Sequence, residues 1–196
     1  MEQIILATNN KGKISELKEI LKNNEVISLK EAGIDIEVDE DKETFEGNAI
    51  KKATEISKLT GKVCIADDSG LCIEALNGFP GVKTARFLGE NATQEERNNY
   101  ILEKMNGIEK EHRKAKVITC IAMVKPNEEE KVYTEILEGY IANEKRGDNG
   151  FGFDEIFELE TGKTLAELEQ IEKNKISSRS KALNKLKREF KNKGCK

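Results

Sequence analysis

The chain has 196 residues, 37% hydrophobic and 36% charged, which is charge-rich but leaves enough Ile, Leu, Val and Phe for a sizeable core. Its 33 basic and 37 acidic residues give a formal net charge of −4, which argues against the basic surface that broad nucleic-acid binding requires. Cys64, Cys72, Cys120 and Cys195 form no C-x-x-C pair and His112 is the only histidine, so neither a structural zinc site nor a disulfide framework is expected. A cytoplasmic, reducing setting follows, with no signal peptide and no apolar run of membrane-spanning length.

In chain order, Ile4 to Ala7 reads as a buried strand, broken by the polar run Thr8 to Lys13. Ile14, Leu17 and Leu21 recur at helical spacing, and Glu25 to Ser28 reads as a second strand. Ala49, Ala53 and Ile56 mark a helix from Phe45 to Leu59, ended by Gly61. Val63 to Ala66 is expected as a short strand leading into Asp67-Asp68-Ser69-Gly70, with another strand over Leu71 to Leu76. Asn77 to Gly81 is a turn, and Thr93 to Glu96 matches a capping box opening a helix towards Met105. Val117 to Val124 and Val132 to Ile141 read as a hairpin tipped by Glu128 to Glu130. A glycine-rich loop spans 147 to 152, Thr164 to Glu167 is a second capping-box candidate, and a last helix covers Ser180 to Phe190. Strands alternating with helices, plus one long hairpin, predict a single α/β domain with a mixed sheet over residues 1–196.

Five stretches carry groups suited to chemistry. Thr8-Asn9-Asn10-Lys11-Gly12-Lys13 lies between a strand and a helix, where free backbone N–H groups and the helix dipole favour an anion. It lacks the spacing of a Walker loop and also reads as a plain polar turn. Asp67 and Asp68 place two repelling carboxylates side by side, a cost that a hard cation such as Mg²⁺ relieves; an Asx turn with Gly70 at positive φ is the alternative. The acidic stretch Glu37-Val38-Asp39-Glu40-Asp41 is a source of a further metal ligand or a solvated loop. Gly150-Phe151-Gly152-Phe153-Asp154 offers aromatic faces and a carboxylate to a nucleobase, or is a hairpin loop whose phenylalanines are core. In the basic C-terminal segment, Lys173 and Arg179 come before or at the start of the last helix, placed to reach a site. His112 stands in a charged run and reads as a surface residue.

These motifs, in this order, resemble the inosine triphosphate pyrophosphatase family: Ala7 to Lys13, Thr44 to Ala49, Ile65 to Leu71, Pro80-Gly81 with Ala85-Arg86-Phe87, Gly150 to Asp154, Gly162-Lys163-Thr164 with Ala166-Glu167-Leu168, and Glu172-Lys173 with Ile176-Ser177 and Arg179. The resemblance runs from about residue 3 to 190. It implies Mg²⁺-dependent hydrolysis of non-standard purine nucleoside triphosphates (ITP, dITP, XTP, dXTP) to monophosphate and pyrophosphate. It implies an elongated mixed sheet flanked by helices, two lobes with the active-site cleft between them, and a homodimer. By resemblance, Asp68 is the proton acceptor and binds magnesium with Glu40. Thr8 to Lys13 hold the triphosphate, and Ser69, Phe151 to Asp154, Lys173, Ser178 and Arg179 contact substrate. Ser178 stands where the family usually has histidine, and Glu155 where it tends to have proline. A Maf-type pyrophosphatase for pyrimidine or modified nucleotides, and a nucleotide-binding regulator without catalysis, are the alternatives.

Overall fold

The computed structural model describes residues 3–89 and 91–191; Cys195 lies outside them. Strand β1 (Gln3–Leu6) leads through a polar turn into α1 (Lys11–Ile20), and β2 (Glu25–Ser28) follows. Helix α2 (Phe45–Thr60) precedes β3 (Val63–Ile73), and α3 (Gln94–Lys104) precedes β4 (Lys114–Val124) and β5 (Lys131–Ile141). The chain closes with β6 (Phe157–Glu158), α4 (Gln170–Ile176) and α5 (Ser178–Lys191). The strand order is β2-β1-β3-β4-β5-β6, with β1 parallel to β2 and β3, and β6 antiparallel to β5. The six-residue link from β4 to its neighbour β5 is too short for a parallel crossover, so the two form the predicted hairpin. Among the described residues no helix is long and apolar enough to cross a membrane.

The chain divides into two compact units. Unit 1 holds residues 1–68, 119–135 and 178–196; unit 2 holds 69–118 and 136–177. The core of unit 1 packs Ile4 and Leu6 of β1 and Ile65 of β3 against Leu17 and Leu21 from the α1 segment and Leu183 and Leu186 of α5. The core of unit 2 gathers Leu71, Ile73, Phe87, Ile101, Met105, Ile156 and Phe157. Cys64 and Cys120 are buried free thiols, and burial pushes the Cys64 thiol up to about 12, so both act as small apolar residues.

Local chemistry explains the element ends. Asn10 caps α1 by accepting from the Lys13 N–H, and Thr44 caps α2 by accepting from the Gly47 N–H. Gly61 ends α2 at φ +65°, a left-handed position that glycine takes without Cβ strain. The Thr93–Glu96 capping box forms as predicted. The Thr164–Glu167 box also forms, but it closes only a three-residue 3₁₀ turn.

Three expectations are corrected. Asp67 to Gly70 do not form a turn at a strand end: β3 runs unbroken from Val63 to Ile73, and Gly70 is not among the glycines at positive φ. The strand continues because Leu71 and Ile73 bury their side chains and the Leu71 N–H donates to the Thr84 hydroxyl at 2.9 Å. The strand expected to reach Leu76 stops at Ile73, where Glu74–Leu76 makes a 3₁₀ turn ending on left-handed Asn77. The last helix starts at Ser178, so Arg179 lies in its first turn, while Lys173 belongs to the separate helix α4.

Candidate active site

The site in unit 1 grows from the carboxyl end of β1. The chain passes from β1 to β2 on one side, and β3 lies on the other, so the strand order reverses there, the place where open α/β sheets bind ligands. The turn 8–10 emerges at that point. Thr8 accepts from the Asn10 N–H at 3.2 Å, and Asn10 accepts from the Lys13 N–H at 3.1 Å. Lys11 and Gly12 occupy the first helical turn, where N–H groups lack intrahelical acceptors. Asn9, Asn10 and Lys11 are exposed, while Thr8, Gly12 and Lys13 are half-buried.

Asp67 and Asp68 lie just beyond Ile65, which pairs with Leu6 of β1. Successive strand residues point to opposite faces, so two adjacent carboxylates meet different neighbours. Asp67 receives the Lys13 ammonium on Oδ1 and the Arg179 Nε on Oδ2 at 3.0 Å. Arg179 continues to Glu16 of α1 at 2.5 Å, completing a chain of alternating charge: Lys13, Asp67, Arg179, Glu16. Burial alone would raise the Asp67 carboxyl, but Arg179 and Lys13 outweigh it and hold it well below the usual carboxylate range.

Asp68 differs. Burial pushes its carboxyl up to about 6; Lys52 opposes that rise, and the charge of Glu40 adds to it. The Lys52 ammonium lies 2.5 Å from Glu40 Oε1 and 3.5 Å from Asp68 Oδ1, and also donates to the Asp67 carbonyl at 2.9 Å. Burial works against the Lys52 charge, but Asp68, Glu40 and Asp67 raise its pKa and keep it a cation. Glu40 is placed by α2: buried Asn48 accepts from the Lys42 N–H at 2.9 Å and donates to the Lys42 carbonyl at 3.3 Å, pinning the loop before the helix.

Two carboxylates converging on one ammonium are a donor set suited to a hard cation. Among the described residues no group of three or more His, Cys, Asp or Glu could hold a metal ion. Glu40 and Asp68 are the residues that would hold a Mg²⁺, with its other ligands drawn from water and substrate phosphate, the usual arrangement for that ion. Ser178 lies in the first turn of α5 with its hydroxyl 2.8 Å from that of Thr119; both are buried.

Unit 2 carries the second group. Asp154 Oδ2 accepts from the Phe151 N–H at 2.8 Å and from the Lys173 ammonium at 2.7 Å. The same ammonium stands 4.7 Å from the centre of the Phe151 ring, a cation–π distance. Asp154 and Lys173 are buried and Phe151 is half-buried. Phe153 stacks on Phe87, with centroids 6.3 Å apart and planes 18° from parallel, so this aromatic does belong to the core. Gly150 is dictated by geometry: at φ +79° a Cβ would fall 2.1 Å from Asp154 Oδ2. Gly150→Ala should cost about 1–3 kcal/mol and displace the Asp154–Lys173 pair; thermal unfolding and the substrate KM measure both effects. Ser69, half-buried on β3, also belongs to unit 2.

Lys52 and Glu16 belong to none of the sequence motifs, although both carry a signal. Lys52 shares a helix face with Ala49, Ala53 and Ile56, and Glu16 shares one with Lys13, Leu17 and Ile20. A charge on an apolar face is buried only when paired.

The sequence pattern of the Ham1 family (Ham1p-like) matches residues 4–189. The dITP/XTP pyrophosphatase of Bacillus subtilis is 47% identical over 189 residues, covering 95% of this chain and 96% of that protein. The dITP/XTP pyrophosphatase of Clostridium tetani is 43% identical over 198 residues, covering 97% of each. Among solved structures, the Staphylococcus aureus Ham1 protein superposes with a TM-score of 0.88 at 39% identity, covering 98% of this chain and 100% of that one. On its sequence, its fold and this similarity, the chain belongs to the Ham1 family.

Proposed function

We propose that this protein hydrolyses dITP, ITP, XTP and dXTP to the nucleoside monophosphate and pyrophosphate, in the cytoplasmic nucleotide pool, as a homodimer of single-domain chains. The activity follows its relatives of the same family, which cover almost all of the chain. The observation that carries the chemistry is the divergence of two adjacent carboxylates. Asp67 is held ionised and engaged by Lys13 and Arg179, whereas Asp68 is pushed up towards neutrality. Adjacent acids driven apart in this way take different roles. Asp68 is the proton acceptor, and Asp67 positions the two cations.

In this reading, water attacks the α-phosphorus, its proton passes to Asp68, and the bond to the β,γ-pyrophosphate breaks, with pyrophosphate leaving as the anion. Mg²⁺ held by Glu40 and Asp68 supplies charge neutralisation of the phosphate oxygens. Lys13 and the backbone N–H groups of Lys11 and Gly12 receive the leaving phosphates, with Thr8, Asn9 and Asn10 shaping the turn. Lys52, which bridges Glu40 and Asp68, supplies a further positive charge beside the reacting group.

Phe151 to Asp154, with Lys173, bind the base, and Ser69, Ser178 and Arg179 complete the substrate contacts. The Arg179 Nε and one terminal nitrogen are engaged by Asp67 and Glu16. Lys173, poised over the Phe151 ring and paired with Asp154, is the donor proposed for the C6 carbonyl. It donates to a carbonyl at C6 of inosine or xanthosine and opposes the amino group of adenosine. A mismatch of this kind is worth a selectivity on the order of 10⁴.

A pyrophosphate-release assay with ITP, XTP, ATP, GTP, CTP and UTP tests the proposal. Turnover of ITP and XTP with Mg²⁺, lost in EDTA and restored by Mg²⁺, is expected. Preferred turnover of UTP or CTP would move the assignment to the Maf type. Tight ITP binding without turnover of any substrate would make the protein a regulator.

A further inference from the structure

Behind the glycine-rich loop of unit 2 lies a cavity of about 640 Å³, lined by residues that include Gln94 and Asn98 of α3, Arg146, Asn149, Phe151 and Glu155. The cavity is half-open to solvent, so the loop borders open space on this face. Asn98, 1% exposed, spans the gap: its Nδ2 donates to the Gly152 carbonyl at 3.2 Å and to Glu155 Oε2 at 3.4 Å. Its Oδ1 accepts from Gln94 Nε2 at 2.9 Å, so both ends of the amide have complementary partners and its orientation is fixed. Gly152 sits between Phe151 and Phe153 at φ +68°, and a Cβ there would meet nothing within 4 Å. On this side the Gly152 carbonyl is held by the Asn98 amide.

We propose that Asn98 is a positioning residue for base recognition: it braces the Gly152 carbonyl across the cavity, and so sets where the Phe151 ring stands relative to Lys173 and Asp154. This rests on the base-binding role of residues 151–154. Without the brace the loop has room to move into the cavity, and the base loses its aligned ring and donor. The phosphate-binding turn, built from α1, is untouched.

Steady-state kinetics with Mg²⁺ on ITP and ATP, with pyrophosphate as product inhibitor, test it in wild type, Asn98→Leu and Gln94→Ala. Asn98→Leu should raise the KM for ITP about tenfold, the effect of one lost buried hydrogen bond, and leave kcat within about twofold. It should lower the ITP:ATP ratio of kcat/KM by a similar factor and leave the inhibition constant of pyrophosphate unchanged. Gln94→Ala only loosens the Asn98 amide, at a half-buried position, and should move KM and the ratio the same way by roughly twofold to threefold. It decides the matter should Asn98→Leu fail to fold. Wild-type KM and selectivity in the folded variants would overturn the proposal, as would a pyrophosphate constant that weakens in step with KM. A wild-type enzyme inactive on every triphosphate would instead overturn the base-binding reading, and this proposal with it.

Discussion

Replacing Asp68 with asparagine should abolish turnover and still make the metal-free protein more stable at neutral pH. The loss of activity follows from removing the proton acceptor and a metal ligand together, and should be at least about 10³-fold. The gain in stability follows from the carboxyl's environment: burial and the charge of Glu40 raise it to about 6 from an ordinary value of 3.8, against the pull of Lys52. A carboxyl raised on folding contributes stability that is fully present below pH 3.8 and is lost as pH rises through about 6. Above that pH the wild type bears a buried charge that asparagine avoids, so Asp68→Asn should gain about 1–3 kcal/mol. Below pH 4 the wild-type side chain is also neutral, and the two proteins should unfold alike. Thermal unfolding in EDTA at pH 7.5 and pH 3.8 measures both limits. The metal-free carboxylate should also accept a proton as pH falls through about 6, weakening Mg²⁺ binding on the acid side.

The neighbouring substitution, Asp67→Asn, should have the opposite effect on stability. Asp67 is fully enclosed and balances Lys13 and Arg179, whose side chains are only 16% and 11% exposed. Removing the central anion leaves two half-buried cations without it, Arg179 still paired with Glu16. Breaking a buried ionic network at one member costs about 3–5 kcal/mol, which for a chain of this size lowers Tm by roughly 10 °C. Activity should fall as well, because Lys13 and Arg179 lose the group that orients them. Two identical substitutions at adjacent positions would then shift Tm in opposite directions, an outcome that rests on which cations face each carboxylate. Equal shifts in both variants would contradict the assignment of distinct roles.

Much of this fold is legible in the sequence because it is locally encoded. The α1 and α2 segments carry clear periodicity; Thr93 announces a helix start by its side chain and Gly61 a helix end by its left-handed backbone. The middle of β3 is not legible for the opposite reason. Asp67-Asp68-Ser69-Gly70 has turn composition, and it stays extended because cations from α1, α2 and α5, distant in sequence, neutralise its carboxylates. Helix α4 escapes notice because it has seven residues and buries chiefly Lys173, a residue that ordinarily signals solvent. In the site, Asp68, Glu40, Lys13 and the 151–154 segment are found by motif, but their partners are not. Lys52 and Glu16 are visible only as charges on the wrong face of a helix, and Asn98 only through the carbonyl it holds. Ser178, read as a substrate contact, pairs with Thr119, a pairing that no local pattern encodes.

Hydrolysis of ITP in H₂¹⁸O tests the central claim most directly. Water activated beside Asp68 and directed at the α-phosphorus predicts that the label enters the monophosphate and that pyrophosphate is unlabelled. Label in pyrophosphate, or release of orthophosphate in its place, would contradict it.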